Sequence, residues 1–139
     1  VGWRSIAVKG ERIEAISYIM ADIIEEMTGE EADTIVGLSI NGIAFAQSVS
    51  SLMGLELSIV RSISEEVSGH LSQVYANVEG KRVVIIDDVY STGTTMRTTA
   101  AGLTAAGAEV KLCMVLVNKS WDDDVDGIPL RALIRAATV

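Results

Sequence analysis

The spacing of apolar residues changes several times along the chain, and each change predicts a different secondary-structure element. From about Glu11 to Met27, apolar residues recur every three or four positions, which predicts an amphipathic helix that ends at Gly29. Continuous apolar runs predict strands at 33–39, 55–62, 82–87 and 109–119. Between these runs, segments rich in alanine and other small residues predict helices at 41–54 and 94–107.

Strands that alternate with helices predict an α/β fold, with an open, mostly parallel sheet and helices on both of its faces. If the strand order is 2-1-3-4, a ligand would bind where that order reverses, beyond the carboxyl ends of the first and third strands. Those strands run into the segments GLSING and DDVYSTGTT. The remaining polar segment is predicted to be a long surface excursion at 63–81, and the last apolar segment an edge strand at 130–137.

Composition narrows the choice of partners. With 139 residues, 49% of them hydrophobic, residues 1–139 are expected to form a single domain. The chain begins at Val1 instead of Met, so we expect that it can be a fragment that lacks an N-terminal domain. A net charge of −8 predicts no direct nucleic-acid contact by this segment, and no apolar stretch is long enough for a membrane span. The single Cys113 lies in an apolar run, which predicts a buried thiol in the cytoplasm.

The stretch VVIIDDVYSTGTT (83–95) carries the most distinctive chemistry. Its hydroxyl-rich end offers backbone N–H groups, a helix N-terminus and hydroxyl donors, which together favour binding of a phosphate group. Asp87 and Asp88 would repel a lone phosphate, so the pattern indicates a ligand with hydroxyls beside its phosphate, such as a phosphorylated sugar. The alternative is an ordinary helix start, capped by Thr92 or Thr94, with the two acids on a turn.

The same stretch, with Met96, resembles the 5-phosphoribosyl 1-pyrophosphate (PRPP) signature of type I phosphoribosyltransferases. The chain is similar to orotate phosphoribosyltransferases and to the related domain of archaeal transcriptional regulators. This resemblance implies that Asp87 and Asp88 bind the ribose hydroxyls, and that Mg²⁺ enters with PRPP rather than occupying a metal site of the protein. It also implies a homodimer. The implied 5′-phosphate ligands are Ser91, Thr92, Gly93, Thr94 and Thr95.

By the same resemblance, GLSINGIAFA corresponds to the pyrophosphate loop after the first strand. Its candidate binding residues are Ser39, Asn41 and Gly42. A plain strand-to-helix turn capped by Asn41 remains the alternative for this segment.

Several basic residues of the orotate enzymes are replaced in this chain. The excursion keeps Arg61, a candidate catalytic residue together with Asp87 and Asp88, but has Ser62 where the enzymes have a neighbouring lysine. Asn41 stands where those enzymes commonly have another lysine. Each lost charge-assisted contact is worth about 1.5–3 kcal/mol, so two or three losses would slow the displacement of pyrophosphate by several orders of magnitude.

Two functions follow from the resemblance. The first is a sensor that binds PRPP or a nucleotide as part of a transcriptional regulator, and the missing lysines favour it. The second is an active orotate-like phosphoribosyltransferase that joins a base to PRPP and releases pyrophosphate. Two side chains are left with open roles: His70 is either a substitute for a loop histidine or solvated, and Trp121 either stacks on a base or packs in the protein.

Overall fold

A computed structural model of the chain describes residues 10–65, 70–74 and 77–137. In chain order, the helices and strands are α1 Gly10–Thr28, β1 Thr34–Gly37, α2 Ile40–Met53, β2 Glu56–Ile59, β3 Arg61–Glu65, β4 His70–Val74, β5 Arg82–Tyr90, α3 Thr94–Ala105, β6 Glu109–Asn118, β7 Asp124–Val125 and β8 Ile128–Arg135.

The main sheet has six strands in the order β2-β1-β5-β6-β8-β7. Strands β2, β1, β5, β6 and β8 pair in parallel, and only the short β7 pairs antiparallel, with β8. The predicted open, mostly parallel α/β fold is therefore confirmed. The observed order β2-β1-β5-β6 meets the 2-1-3-4 condition under which the crevice was expected between the first and third predicted strands. The order reverses between β1 and β5, which places a ligand crevice at the carboxyl ends of these two strands.

Both faces of the sheet are covered by helices, because the central strands are apolar on both sides. In β5, Val83 and Ile85 pack in the cluster that contains Leu103 of α3. Val84 and Ile86 point to the opposite face, where they pack with residues of α1 and α2. The uninterrupted apolar run thus reflects burial on both faces.

Two predicted elements are wrong in part. The segment predicted as an excursion at 63–81 contains most of an antiparallel hairpin, in which β3 pairs with β4 from Arg61 opposite Val74 to Glu65 opposite His70. Pairing satisfies the backbone of these polar strands without a long apolar run, so the apolar pattern did not reveal them. The last strand begins at Ile128, not 130, and β7 rather than β8 is the outermost strand of the sheet.

The single cysteine and the helices bear on two expectations from composition. Cys113 is fully buried in β6, as predicted, and burial raises the pKa of its thiol to about 12. Of the helices in the described ranges, none has the length and apolar character needed to cross a membrane.

Candidate functional site

Both aspartates lie inside β5, which continues to Tyr90, whereas the predicted strand 82–87 ended at Asp87. Strand β1 stops at Gly37, opposite Ile86, whereas β5 continues to Tyr90 alongside β6. Beyond that point Leu38 still donates its backbone N–H to the Ile86 carbonyl, at 3.0 Å, and the chain then turns into α2. This divergence of two parallel neighbours opens the crevice at the level of the two aspartates.

The predicted pyrophosphate loop and the acid pair contact each other directly. Ser39 donates its hydroxyl to Asp87 Oδ1 at 2.7 Å, and Asn41 donates its amide to Asp88 Oδ2 at 3.2 Å. Asp87 and Asp88 are 7% and 1% exposed, so most of their surface is turned into the protein. The structure therefore brings together four of the residues predicted for the site.

Burial changes the acid–base chemistry of the pair. Desolvation, followed by the neighbouring Asp88 carboxylate, raises the pKa of Asp87 from 3.8 to about 7. The Ser39 hydroxyl acts in the opposite direction, because it donates to the charged form. Near neutral pH Asp87 thus exists both with and without its proton. The pair can therefore accept hydrogen bonds from the hydroxyls of a ligand or donate one to them.

Gly42 and Ser39 set the close approach of α2 to β5. A Cβ atom at Gly42 would lie 2.9 Å from both the Asp87 Cα and the Ile86 carbonyl oxygen, so only glycine fits without a shift of the backbone. Ser39 caps the helix, since its hydroxyl accepts the Gly42 N–H at 3.2 Å. The alternative in which Asn41 caps this turn is therefore wrong.

The hydroxyl-rich segment forms the other wall of the crevice. A cavity of about 240 Å³ is lined by Ser39, both aspartates and every residue from 89 to 96. Gly93 is the N-cap of α3, in a left-handed conformation with φ 82°, and no side chain caps the helix. The alternative in which Thr92 or Thr94 caps α3 is therefore wrong. The exposed hydroxyls and the first N–H groups of α3 are open to a ligand.

Three residues near this wall were not predicted as part of it. The buried Tyr90 donates its hydroxyl to Asp122 Oδ2 at 2.9 Å, and burial raises the pKa of its phenol to about 12. Arg97 donates to the Thr92 carbonyl at 2.8 Å. The only sequence signal for Arg97 was its position one helical turn after Gly93. Nothing in the local sequence linked Tyr90 to Asp122, which lies 32 positions further along the chain.

The turn after β6 carries Trp121, which does not pack in the core. Its side chain is 62% exposed, and the Arg135 guanidinium lies 5.6 Å from the centroid of its ring. Asn118, 1% exposed, holds this turn by donating to the Asp122 carbonyl and accepting from Ser120.

Two predicted residues are only partly covered by the structure. Arg61 begins β3 and His70 begins β4, but the side chains of both lie outside the described residues. Their predicted roles stay predictions.

Within the described ranges, no group of three or more His, Cys, Asp or Glu side chains could hold a metal ion. Mg²⁺ is often bound through one or two carboxylates plus phosphate oxygens of a ligand. The Asp87–Asp88 pair fits that arrangement, so the residues present suit an ion that arrives with a phosphorylated ligand.

An open parallel sheet, with an acid pair and a hydroxyl-rich helix start at its strand-order reversal, defines a domain of the phosphoribosyltransferase class. Residues 2–133 match the family model for the phosphoribosyl transferase domain, and the chain belongs to that family. It is 46% identical to the transcriptional regulator GfcR of Thermoplasma acidophilum over 142 residues, which cover 100% of this chain and 72% of that protein. It is thus a phosphoribosyltransferase-fold domain of the kind found in GfcR-type regulators, as the sequence predicted.

Solved structures of similar fold belong to phosphoribosyltransferases that are named for different bases. Adenine phosphoribosyltransferase from Thermoanaerobacter pseudethanolicus has a TM-score of 0.76 and 22% identity, over 91% of this chain and 82% of that chain. Orotate phosphoribosyltransferase from Aeropyrum pernix has a TM-score of 0.69 and 21% identity, over 93% of this chain and 78% of that chain. The shared fold therefore does not identify a base.

Proposed function

We propose that this chain binds PRPP or a nucleotide in the crevice between β1 and β5, as the ligand-sensing part of a transcriptional regulator of nucleotide-related metabolism. The observation that carries the proposal is that two carboxylates and a hydroxyl-rich helix start line the same cavity. Carboxylates accept hydrogen bonds from ribose hydroxyls, and open N–H and O–H groups donate to phosphate. A phosphorylated pentose satisfies both walls at once, with Mg²⁺ bound through its phosphates.

The charge of the cavity lining, as far as the structure describes it, favours a sensor over an enzyme. None of the described residues that line the cavity is Lys or Arg. Asn41, in the predicted pyrophosphate loop, donates to Asp88 and brings no charge to a leaving group. Binding of a ribose 5-phosphate group in the ground state does not require that charge, whereas stabilisation of departing pyrophosphate does.

The ribose role of the acid pair is tested by the double substitution Asp87→Asn with Asp88→Asn. We expect the affinity for PRPP with Mg²⁺, measured by titration calorimetry, to fall by roughly tenfold or more, because the carboxyl groups that accept from the ribose hydroxyls become neutral amides. The melting temperature should fall proportionally less than the affinity. An amide at position 87 can still accept from Ser39, whereas an amide at position 88 has one oxygen for the two donors that Asp88 binds, Asn41 and the Val89 N–H.

The matched control is Asp22→Asn with Asp126→Asn, the same change of charge at two exposed positions. This control should bind PRPP as the wild type does. An acid-pair variant with wild-type affinity would refute the ribose role.

Sensor and enzyme are separated by an assay for pyrophosphate release. Purified protein would be incubated with PRPP, Mg²⁺ and a panel of bases that includes orotate and adenine. Saturable PRPP binding without turnover supports the sensor. Turnover with any base excludes a pure sensor and favours the orotate-like or another phosphoribosyltransferase, with Arg61 and the acid pair as candidate catalytic residues.

The proposal also covers the compartment, the oligomeric state and the DNA contacts of the domain. We place the domain in the cytoplasm, where Cys113 stays reduced, and expect a homodimer that light scattering after gel filtration would detect. With a net charge of −8, this segment is not expected to contact DNA itself.

A further inference from the structure

Arg97 contacts the hydroxyl-rich segment without lining the cavity. Its guanidinium donates to the Thr92 carbonyl at 2.8 Å, and its backbone N–H donates to the Gly93 carbonyl at 2.8 Å. A Cβ atom at Gly93 would lie 2.8 Å from Arg97 Nη1 and 2.3 Å from the Tyr90 hydroxyl. The guanidinium and the phenol thus lie against Gly93, which itself lines the cavity.

The contact with Thr92 fixes one particular N–H group. Thr92 C=O and Gly93 N–H belong to the same trans peptide, so they point in opposite directions. Because Arg97 holds the carbonyl on its own side, the Gly93 N–H points to the other side. In the described part of the chain that N–H has no hydrogen-bond acceptor.

The position of Arg97 also has an electrostatic consequence. Helix N-termini carry partial positive charge, so a cation in the first turns of α3 is unfavourable unless an anion is near. The first turn of α3 has no acidic residue, and Arg97 makes no ion pair within the described ranges. Asp122 is the acid on this side, and it accepts from the Tyr90 hydroxyl rather than from Arg97. An anionic group bound at this helix start would relieve that repulsion.

We propose that Arg97 is a positioning residue for the phosphate group of the ligand. Its cationic donor holds the Thr92–Gly93 peptide so that the Gly93 N–H faces the phosphate. Its charge lowers the cost of bringing a dianion into a cavity in which none of the described lining residues is basic. This inference rests on the proposed function and deepens it, because it assigns the source of the positive charge that favours a phosphorylated ligand.

The test compares PRPP binding, with Mg²⁺ present, by wild type, Arg97→Gln and Arg97→Lys in titration calorimetry. We expect Arg97→Gln to lose roughly ten- to thirtyfold in affinity, since it removes a charged donor. Arg97→Lys keeps a charged donor and should stay within about threefold of the wild type. Arg131→Gln is the matched control, because Arg131 is exposed on β8 and contacts Met27.

A second measurement separates positioning from simple support of the fold. The melting temperature of Arg97→Gln without ligand should stay within about 3 °C of the wild-type value, because loss of one hydrogen bond is offset by removal of a cation from the positive end of α3. A larger drop would assign Arg97 a structural role and overturn the inference.

The remaining outcomes are distinct. Wild-type affinity in Arg97→Gln, or equal losses in the Gln and Lys variants, would overturn the inference and leave the proposed function standing. If the wild type binds neither PRPP nor nucleoside monophosphates, the proposed function fails and this inference fails with it.

Discussion

Ser39 adopts a backbone conformation that residues with a side chain rarely occupy. Its φ and ψ are 66° and 164°, a region populated almost entirely by glycine, and such a conformation costs on the order of 1–3 kcal/mol. The hydroxyl offsets part of this cost by donating to Asp87 and accepting from the Gly42 N–H. The strain at this residue is therefore tied to the contact between the two loops of the candidate site.

Replacement of Ser39 by glycine and by alanine tests this balance. Both variants lose the side-chain hydrogen bonds, but only glycine relieves the backbone. We expect Ser39→Gly to be more stable than Ser39→Ala by about 1 kcal/mol in urea denaturation.

Ser51, exposed in α2, provides the control for this pair of variants. There the order should reverse, with alanine more stable than glycine by roughly 0.5–1 kcal/mol, because glycine is unfavourable inside a helix. The same order at both positions would contradict strain at Ser39.

At the level of elements, the start of α2 and strand β5 form one packing unit. Gly42 lets the helix approach so closely that Ser39 and Asn41 reach the aspartates of β5. Helix α3 contributes the opposite wall through its uncapped N-terminus at Gly93. The cavity thus depends on where two helices begin relative to one strand.

Gly42→Ala should disturb this unit. The added methyl group collides with the backbone of β5, so we expect a loss of stability of roughly 1–3 kcal/mol and a weaker affinity for PRPP as α2 shifts. Urea denaturation and calorimetry would measure the two effects.

Gly54→Ala serves as the control, because it lies at the other end of α2, with φ 69° and open space around it. Strain there should lower stability by about 1 kcal/mol without changing PRPP affinity. If Gly54→Ala weakens binding as much as Gly42→Ala does, close packing at Gly42 does not explain the effect.

For the whole molecule, the burial of Asp87 links stability to pH. Its folded-state pKa of about 7 lies above the ordinary value of 3.8, so between these values the folded chain holds a proton that the unfolded chain has released. The stabilisation is complete below about pH 4 and is lost as the pH rises through about 7.

We therefore expect the wild type to lose roughly 2 kcal/mol of stability, from this group, between pH 5 and pH 8. Calorimetric melting across this range would measure the loss. Asp87→Asn retains His70, the one histidine of the chain, and should show a flatter profile that serves as the baseline. If the two profiles run parallel, Asp87 does not titrate in this interval.

Much of the fold was predictable, because the period of apolar residues reflects burial along each element. The apolar run of β5 predicted a strand covered on both faces, and the alternation of strands and helices predicted parallel pairing, whereas the order 2-1-3-4 entered only as a condition. The hairpin of β3 and β4 was missed because its strands are mostly polar. The end of β5 was misplaced because Val89 and Tyr90 still pair with β6 beyond the acids that interrupt the apolar run.

The sequence by itself determined the α/β class and the chemical groups available at two strand ends, since both depend on local order along the chain. Only the tertiary structure decided that Ser39 and Asn41 contact the acid pair, that Arg97 holds the Thr92 carbonyl, and that Asp87 titrates near neutral pH. The contacts with the acid pair join residues 47 and 48 positions apart. Such contacts, and the burial that raises the pKa of Asp87, depend on how the elements pack, because hydrogen bonding and desolvation are set by distance in space and not by separation along the chain.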